Sequence, residues 1–412
     1  MPLADELRAD ALARFERYVR IDTQSDHFSP TRPSTERQLD LSRLLHGELD
    51  ELGLVDLVLT EQGYVFATLP GTGPTVGLIA HVDVSPDAPA AGVQPQVHER
   101  YEGGELVPGL SPETSPLLGE RIAHDIVTSD GTTLLGADDK AGVAEIMACV
   151  AYLQAHPEPA HATIRVGFTT DEETGHGTDH FDLEQFGADF AYTVDGGKVG
   201  EIEDETFSGI ELKVTFPGVG VHPGYAKDKL VNPIKLAAAF VEKLPRDRLS
   251  PETTEGREGY VHPHHIAGHA DQCTVTFLLR DHDEDKLAQH EAFVRRLATE
   301  TDPDVTFERW YQYRNMKAKL DETPWVVDAA FEAARRVGLD PRSTPIRGGT
   351  DGTRLTERGL PTPNLYAGGN EFHSVREWIS VQDLALSAAT VVELARLWAE
   401  PDWRTRYISS AS

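Results

Sequence analysis

The sequence predicts an α/β protein built on a mixed sheet and interrupted by a smaller inserted α+β domain. Three observations carry this expectation. In the first 200 or so residues, short apolar runs ending on His, Asp or Glu alternate with stretches of helical periodicity. From Gly209 the strands become alternating in polarity, as in a half-exposed antiparallel sheet. From Thr323 the first texture returns. The expected organisation is a principal domain over 1–208 and 321–412, with 209–320 as an inserted lid or dimerisation domain. A chain of 412 residues is long enough for two such domains.

Taken in order, Leu3 to Val19 has apolar residues at helical spacing, and Gln38 to Leu52 forms a second helix stopped by Gly53. Thr75 to His81 is a short apolar run expected as a buried strand. The Pro- and Gly-rich stretch from there to about Thr133 is expected to be irregular and, at that length, functional. Ala141 to Gln154 is a helix, and Ala162 to Thr169 and Ala188 to Val194 are strands, placing helices on both faces of a sheet. In the insert, strands Ile210 to Phe216 and Cys273 to Leu279 alternate with helices Val231 to Leu244 and Glu284 to Thr299.

Composition narrows the function. A formal net charge of −30 gives no basic face for nucleic acid. No run of 18 apolar residues offers a membrane-spanning helix, and the first 26 residues carry no signal-peptide pattern. Cys149 and Cys273 do not make a disulfide framework, so a reducing cytoplasm is the expected compartment.

Five places put metal-ligand residue types at or near strand ends. His81-Val82-Asp83 follows an apolar strand; residues two apart in extended chain share a face, so one side chain can bind a metal while the other orients it. Asp138-Asp139 lies between Gly136 and Gly142 at the start of a helix. Glu172-Glu173 follows a strand, and adjacent glutamates can divide metal binding and proton transfer. Asp195 ends the next strand, and His373 follows Gly368-Gly369. Each has an ordinary reading alone: a loop pair, an N-cap, a charged turn. Together they form an oxygen- and nitrogen-rich set without thiolates, suited to a catalytic zinc, manganese or cobalt site. His262, His264, His265 and His269 look like a metal cluster, but they fall in the insert and are not expected to be ligands.

These motifs, with Leu134-Leu-Gly-Ala-Asp-Asp-Lys-Ala-Gly142, Pro251-Glu-Thr-Thr-Glu-Gly256 and Pro345-Ile-Arg-Gly-Gly-Thr-Asp-Gly352, resemble the carboxypeptidase/aminoacylase-like family of dizinc metallopeptidases over nearly the whole chain. The Pro251 and Pro345 segments resemble its tripeptidase branch. The resemblance implies that the principal domain is catalytic and holds two zinc ions per subunit, with cobalt or manganese as substitutes. One ion takes His81, Asp138 and Asp195; the other takes Asp138, Glu173 and His373. It further implies a cis peptide at Asp138-Asp139, Glu172 as general base, Asp83 orienting His81, and a water bridging the metals. Three carboxylates and one hydroxide cancel the charge of two zinc ions. In the insert it implies His222 as an oxyanion-stabilising residue, with Asn232, Arg280 and Arg347 holding substrate.

The implied activity is hydrolysis of the N-terminal bond of short peptides, tripeptides above all, by a homodimer or a monomer without nucleic-acid or membrane partners. Dipeptidase, carboxypeptidase and N-deacylase activities are the alternatives within the family; a binding protein on an inactive scaffold would have lost ligands or base, and none is missing. The chain departs from the family pattern at Glu371 and Ser374, where asparagine and glycine are usual. That departure bears on substrate preference rather than on the metal site.

Overall fold

A computed structural model describes residues 2–410. The chain divides into two compact units, one of Met1–Asp204, Ala318–Thr344 and Thr350–Ser412, the other of Glu205–Lys317 and Pro345–Gly349. The expected insert spans 209–320; the second unit runs from 205 to 317 and also holds the 345–349 segment. Arg347 shows why. Its guanidinium donates to the carbonyls of Gly256 and Glu258 and to the Thr254 hydroxyl, all within that unit.

The first unit is organised by an eight-stranded mixed sheet in the order 55–59, 65–69, 163–169, 75–81, 190–196, 364–366, 201–206, 342–346. Strands 163–169, 75–81, 190–196 and 364–366 run parallel to their neighbours in that series; 55–59, 65–69 and 201–206 pair antiparallel. Alternation in each strand sorts the side chains into two cores. Val76, Leu78 and Ala80 join one large cluster with Val166, Phe168, Phe190 and Tyr192, while Ile79 and Ala191 join Phe66, Phe181 and Phe186 in the other. Helix Ala137–Ala155 is buried on nearly every side, as its apolar composition requires. It lies against strand 75–81 and helices Pro2–Tyr18 and Val381–Leu397.

The stretch expected to be irregular up to Thr133 is partly ordered. Strands Gln96–His98 and Ile126–Thr128 pair antiparallel with each other, and Ile126–Thr128 pairs with Trp378–Ser380, which pairs with Gly369–Asn370. These strands are two or three residues long, too short for a periodic signal, and the two halves of the sheet lie some 250 residues apart in the chain. This small sheet carries the 371–377 loop between two of its strands.

The second unit has a four-stranded antiparallel sheet in the order 260–268, 272–281, 208–217, 306–313. Helices Pro233–Val241 and Glu284–Thr301 pack on it through Ala237, Phe240, Leu287 and Val294, against Leu212, Val214 and Phe277. The histidine-rich stretch is its edge strand Tyr260–Gly268.

Candidate metal centre

The parallel strands bring their carboxyl ends to one sheet edge, where open α/β sheets build their sites. His81 is the last residue of strand 75–81, in register with Thr169 at the end of 163–169. The turn after Thr169 carries Glu172 and Glu173, and Asp195 lies near the end of 190–196. Asp138 stands just inside helix Ala137–Ala155, with non-helical backbone and a cis peptide to Asp139.

Among the described residues, two groups have ligand atoms close enough to hold a metal ion: His81, Asp138 and Asp195; and Asp138, Glu173 and His373. Asp138 belongs to both, turning one oxygen to each. His81 Nε2 is 2.9 Å from Asp138 Oδ1 and 3.4 Å from Asp195 Oδ1. His373 Nε2 is 3.4 Å from Asp138 Oδ2 and 2.9 Å from Glu173 Oε2. The histidines at 262, 264, 265 and 269 belong to neither group.

The electrostatics call for cations. Burial pushes the Glu173 carboxyl up to about 8, with Asp138 adding to the shift, and the Asp195 carboxyl up to about 6. Burial also raises Glu172 well above the usual carboxylate range, and Asp195, Asp351 and Glu173 raise it further. Burial disfavours the His81 imidazolium, yet Asp195, Asp138 and Asp83 hold its pKa well above the ordinary value. Glu173 Oε1 is buried without a hydrogen-bond partner among the described residues. A buried carboxylate oxygen left unpaired beside other carboxylates is costly, and divalent ions satisfy it while displacing the histidine protons. The residues present therefore fit a two-metal site.

Asp83 is fully buried, and its role is wider than orienting one ring. His81 Nδ1 lies 3.0 Å from the Asp83 backbone carbonyl and 3.4 Å from its Oδ1. The two carboxylate oxygens also accept the backbone N–H groups of Glu172 (3.0 Å) and Glu173 (3.2 Å). Glu377 is not among the residues the sequence singles out. Its Oε2 accepts N–H from Leu135 (2.8 Å) and Gly136 (2.7 Å), and its Oε1 accepts the Asp138 N–H at 3.0 Å. One loop thus supplies His373 and cradles the bridging aspartate. Asn364 accepts the Asp195 N–H at 3.2 Å and donates to the half-buried Glu203 at 2.6 Å. A lone Glu or Asn carries no sequence signal for such a role; the acidic-aromatic pair at 377–378 is the one mark near it.

The remaining candidates belong to the second unit. His222 is exposed and its Nδ1 accepts the Gly224 N–H. Asn232 caps helix Pro233–Val241, accepting from Ile234 and Lys235. Arg280 is buried: it donates to Gln312 (2.6 Å) and to the Leu279 and Ile210 carbonyls, and its guanidinium lies over the Tyr313 ring. The Arg347 guanidinium is engaged as described above. The substrate roles expected for these four rest on the resemblance, since each also has a bond pattern that orders its own unit.

This fold and sheet-edge cluster of His, Asp and Glu agree with the family match. Residues 128–397 match the family described as Peptidase family M20/M25/M40, and the chain belongs to that family; it is a peptidase, an enzyme of the hydrolase class. Among curated relatives, a protein named Peptidase T from Geobacillus thermodenitrificans (strain NG80-2) is 43% identical over 407 residues, covering 95% of this chain and 99% of the relative. Another named Peptidase T, from Desulfitobacterium hafniense (strain Y51), is 46% identical over 407 residues, covering 95% and 99%. In fold, the chain is similar to an aminopeptidase PepT from Bacillus cereus ATCC 10987 (TM-score 0.73, 24% identity, covering 95% of this chain and 99% of that one). It is also similar to a tripeptidase from Staphylococcus aureus subsp. aureus Mu50 (TM-score 0.75, 22% identity, covering 95% and 98%). No helix among the described residues is long and apolar enough to cross a membrane.

Proposed function

We propose that this protein is a metal-dependent aminopeptidase that removes the N-terminal residue of short peptides, tripeptides in particular, in the cytoplasm. The observation that carries the reading is the double ligand group sharing Asp138 in a chain 43% identical over 407 residues to a protein named Peptidase T. His81, Asp138 and Asp195 would hold one ion, and Asp138, Glu173 and His373 the other. When bound, two divalent ions, zinc in our reading, polarise the scissile carbonyl and lower the pKa of water. Buried, unpaired Cys149 and Cys273 support a reducing compartment.

The chain's own residues do the rest. Glu172, beside but outside both ligand groups, takes the proton of the attacking water as its oxygen bonds to the carbonyl carbon. It then delivers that proton to the departing amine nitrogen as the C–N bond breaks. Asp83 fixes the turn that presents Glu172, through the two N–H bonds described above. The free α-amino group of a substrate, with a pKa of about 7.7–8.0, is largely protonated near pH 7. Glu172 and Asp83, which are not ligands, add negative charge that suits such an ammonium.

A tripeptide of three different residues, free and N-acetylated, tests the assignment by mass spectrometry. Release of the N-terminal residue first, little action on the acetylated form, and loss of turnover on chelation are expected. Release of the C-terminal residue first, or equal use of the acetylated peptide, would point to the carboxypeptidase or deacylase reading. Glu172→Gln keeps the shape and removes the proton acceptor. Its turnover should fall by about 10²–10⁴-fold with both ions retained. A variant keeping more than roughly a tenth of the rate would exclude the base role.

A further inference from the structure

The turn bearing Glu172 begins on an unusual residue. Asp171 has φ 63° and ψ 23°, the left-handed region that non-glycine residues seldom occupy, though Asp and Asn tolerate it best. Its side chain does not face solvent; the residue is 1% exposed. Both carboxylate oxygens accept the Ser34 N–H, at 2.9 and 2.7 Å, and Oδ1 also accepts from Gln38 Nε2 at 2.7 Å. Gln38 closes a ring with the same residue: its Oε1 accepts the Asp171 backbone N–H at 3.0 Å. Gln38 is fully buried at the start of helix Gln38–Glu51, and its Nε2 is also 3.1 Å from Ser34 Oγ.

The next two N–H groups along the chain, those of Glu172 and Glu173, go to Asp83. Three consecutive backbone N–H groups at 171, 172 and 173 are thus held by side chains from two other segments. From the geometry we infer that Gln38 and Asp171 are positioning residues for the reaction. By bonding to both the main chain and the side chain of residue 171, Gln38 fixes the left-handed turn and with it the direction in which Glu172 leaves the backbone. This rests on the reading of Glu172 as general base. A rate penalty of order 10²-fold from about 1 Å of misplacement is what such a clamp prevents.

A reciprocal exchange tests it. In Gln38→Glu a carboxylate oxygen opposes the Asp171 carboxylate; in Asp171→Asn the single amide oxygen accepts from Gln38 Nε2 only by turning the NH₂ against the Ser34 N–H, which both oxygens accept in the wild type. The double variant Gln38→Glu/Asp171→Asn restores the bonds between the two residues with donor and acceptor interchanged, because a carboxylate at 38 accepts both the side-chain amide and the backbone N–H of residue 171. Each single variant should lose about 10- to 100-fold in kcat with KM within about two-fold. Calorimetric Zn²⁺ titration should still find two ions per chain, and the double variant should return to within about three-fold of the wild-type rate. Gln38→Met, of similar shape but without the bonds, serves where a charged single variant does not fold. In metal-free protein, hydrogen exchange of the 170–175 segment should quicken in Gln38→Met and slow again in the double variant. A purely structural tether would instead quicken exchange only in the 24–35 loop. Wild-type kcat in Gln38→Met, unchanged exchange at 170–175, or a double variant no better than either single one overturns the inference. If Glu172→Gln itself stays active, it is the general-base reading that fails, and the exchange result still reports on the clamp.

Discussion

Glu377→Gln tests how the bridging ligand is held. The wild-type carboxylate accepts three backbone N–H groups, two on Oε2 from Leu135 and Gly136 and one on Oε1 from Asp138. An amide has only one acceptor. Its better orientation keeps the oxygen toward Leu135 and Gly136 and turns the NH₂ against the Asp138 N–H, which then has no partner. Bonds to a charged acceptor contribute about 1.5–3 kcal/mol each, and an unsatisfied buried donor costs about 1–3 kcal/mol. Losing one bond and weakening two gives about 2–4 kcal/mol, concentrated on the loop that carries Asp138. Metal-free protein relieves this by letting the loop relax, so metal binding must restore the loop geometry. The free energy then appears as weaker metal affinity; shared between the two ions, about 1–2 kcal/mol each weakens each by about 5- to 30-fold. Because Asp138 serves both groups, both ions should weaken together. Calorimetric titration of metal-free protein with Zn²⁺ against a competing chelator reads both constants. Two affinities within about two-fold of wild type, or weakening of one ion alone, would refute the argument.

Two further perturbations test the fold around the site. Glu145 is fully buried; its Oε2 lies 2.7 Å from Ser387 Oγ, while that hydroxyl also lies 2.6 Å from the Tyr366 carbonyl, and Glu145 Oε1 has no hydrogen-bond partner among the described residues. Burial raises its carboxyl well above the ordinary range, against the lowering by Ser387, so the folded protein holds the neutral acid while the unfolded chain ionises near the ordinary value. Its contribution is most favourable below the unfolded pKa and is lost as pH rises toward the folded one. Glu145→Gln should therefore raise the thermal midpoint more at about pH 8 than at about pH 5; an equal shift at both would contradict the assignment. Gly142→Ala would set a Cβ 1.8 Å from the Val194 carbonyl oxygen and 2.5 Å from Asp139 Oδ1. Neither is the free end of a flexible side chain, so at least about 3 kcal/mol of destabilisation is expected in thermal or denaturant unfolding. Wild-type stability would show that the helix can move off the strand.

Local chemistry explains why much of this protein is legible in its sequence. Thr75–His81 reads as a strand because seven residues of buried parallel sheet need an apolar run, and its observed bounds are those expected. The five ligand positions stand out because strand ends and tight turns leave His, Asp and Glu few ordinary reasons to recur there, and because the motifs match a known family. The insert is visible because antiparallel strands covered on one face alternate in polarity, as 208–217 does.

What the sequence by itself determines, then, is the identity of the groups and the elements that carry them. Tertiary structure decides which groups meet. Asp138, Glu173 and His373 are separated by 35 and 200 residues, and their approach follows from sheet order and from a small sheet whose two- and three-residue strands leave no periodic trace. Glu377, Gln38 and Asp171 each accept backbone N–H groups, which every non-proline residue possesses, so those partners have no side-chain signature. The same holds for Arg347, which belongs to the second unit by bonding to the Gly256 and Glu258 carbonyls. A hydrogen bond to main chain constrains the residue that reaches for it and leaves the identity of the residue that receives it free, and only the folded chain reveals where that reach ends.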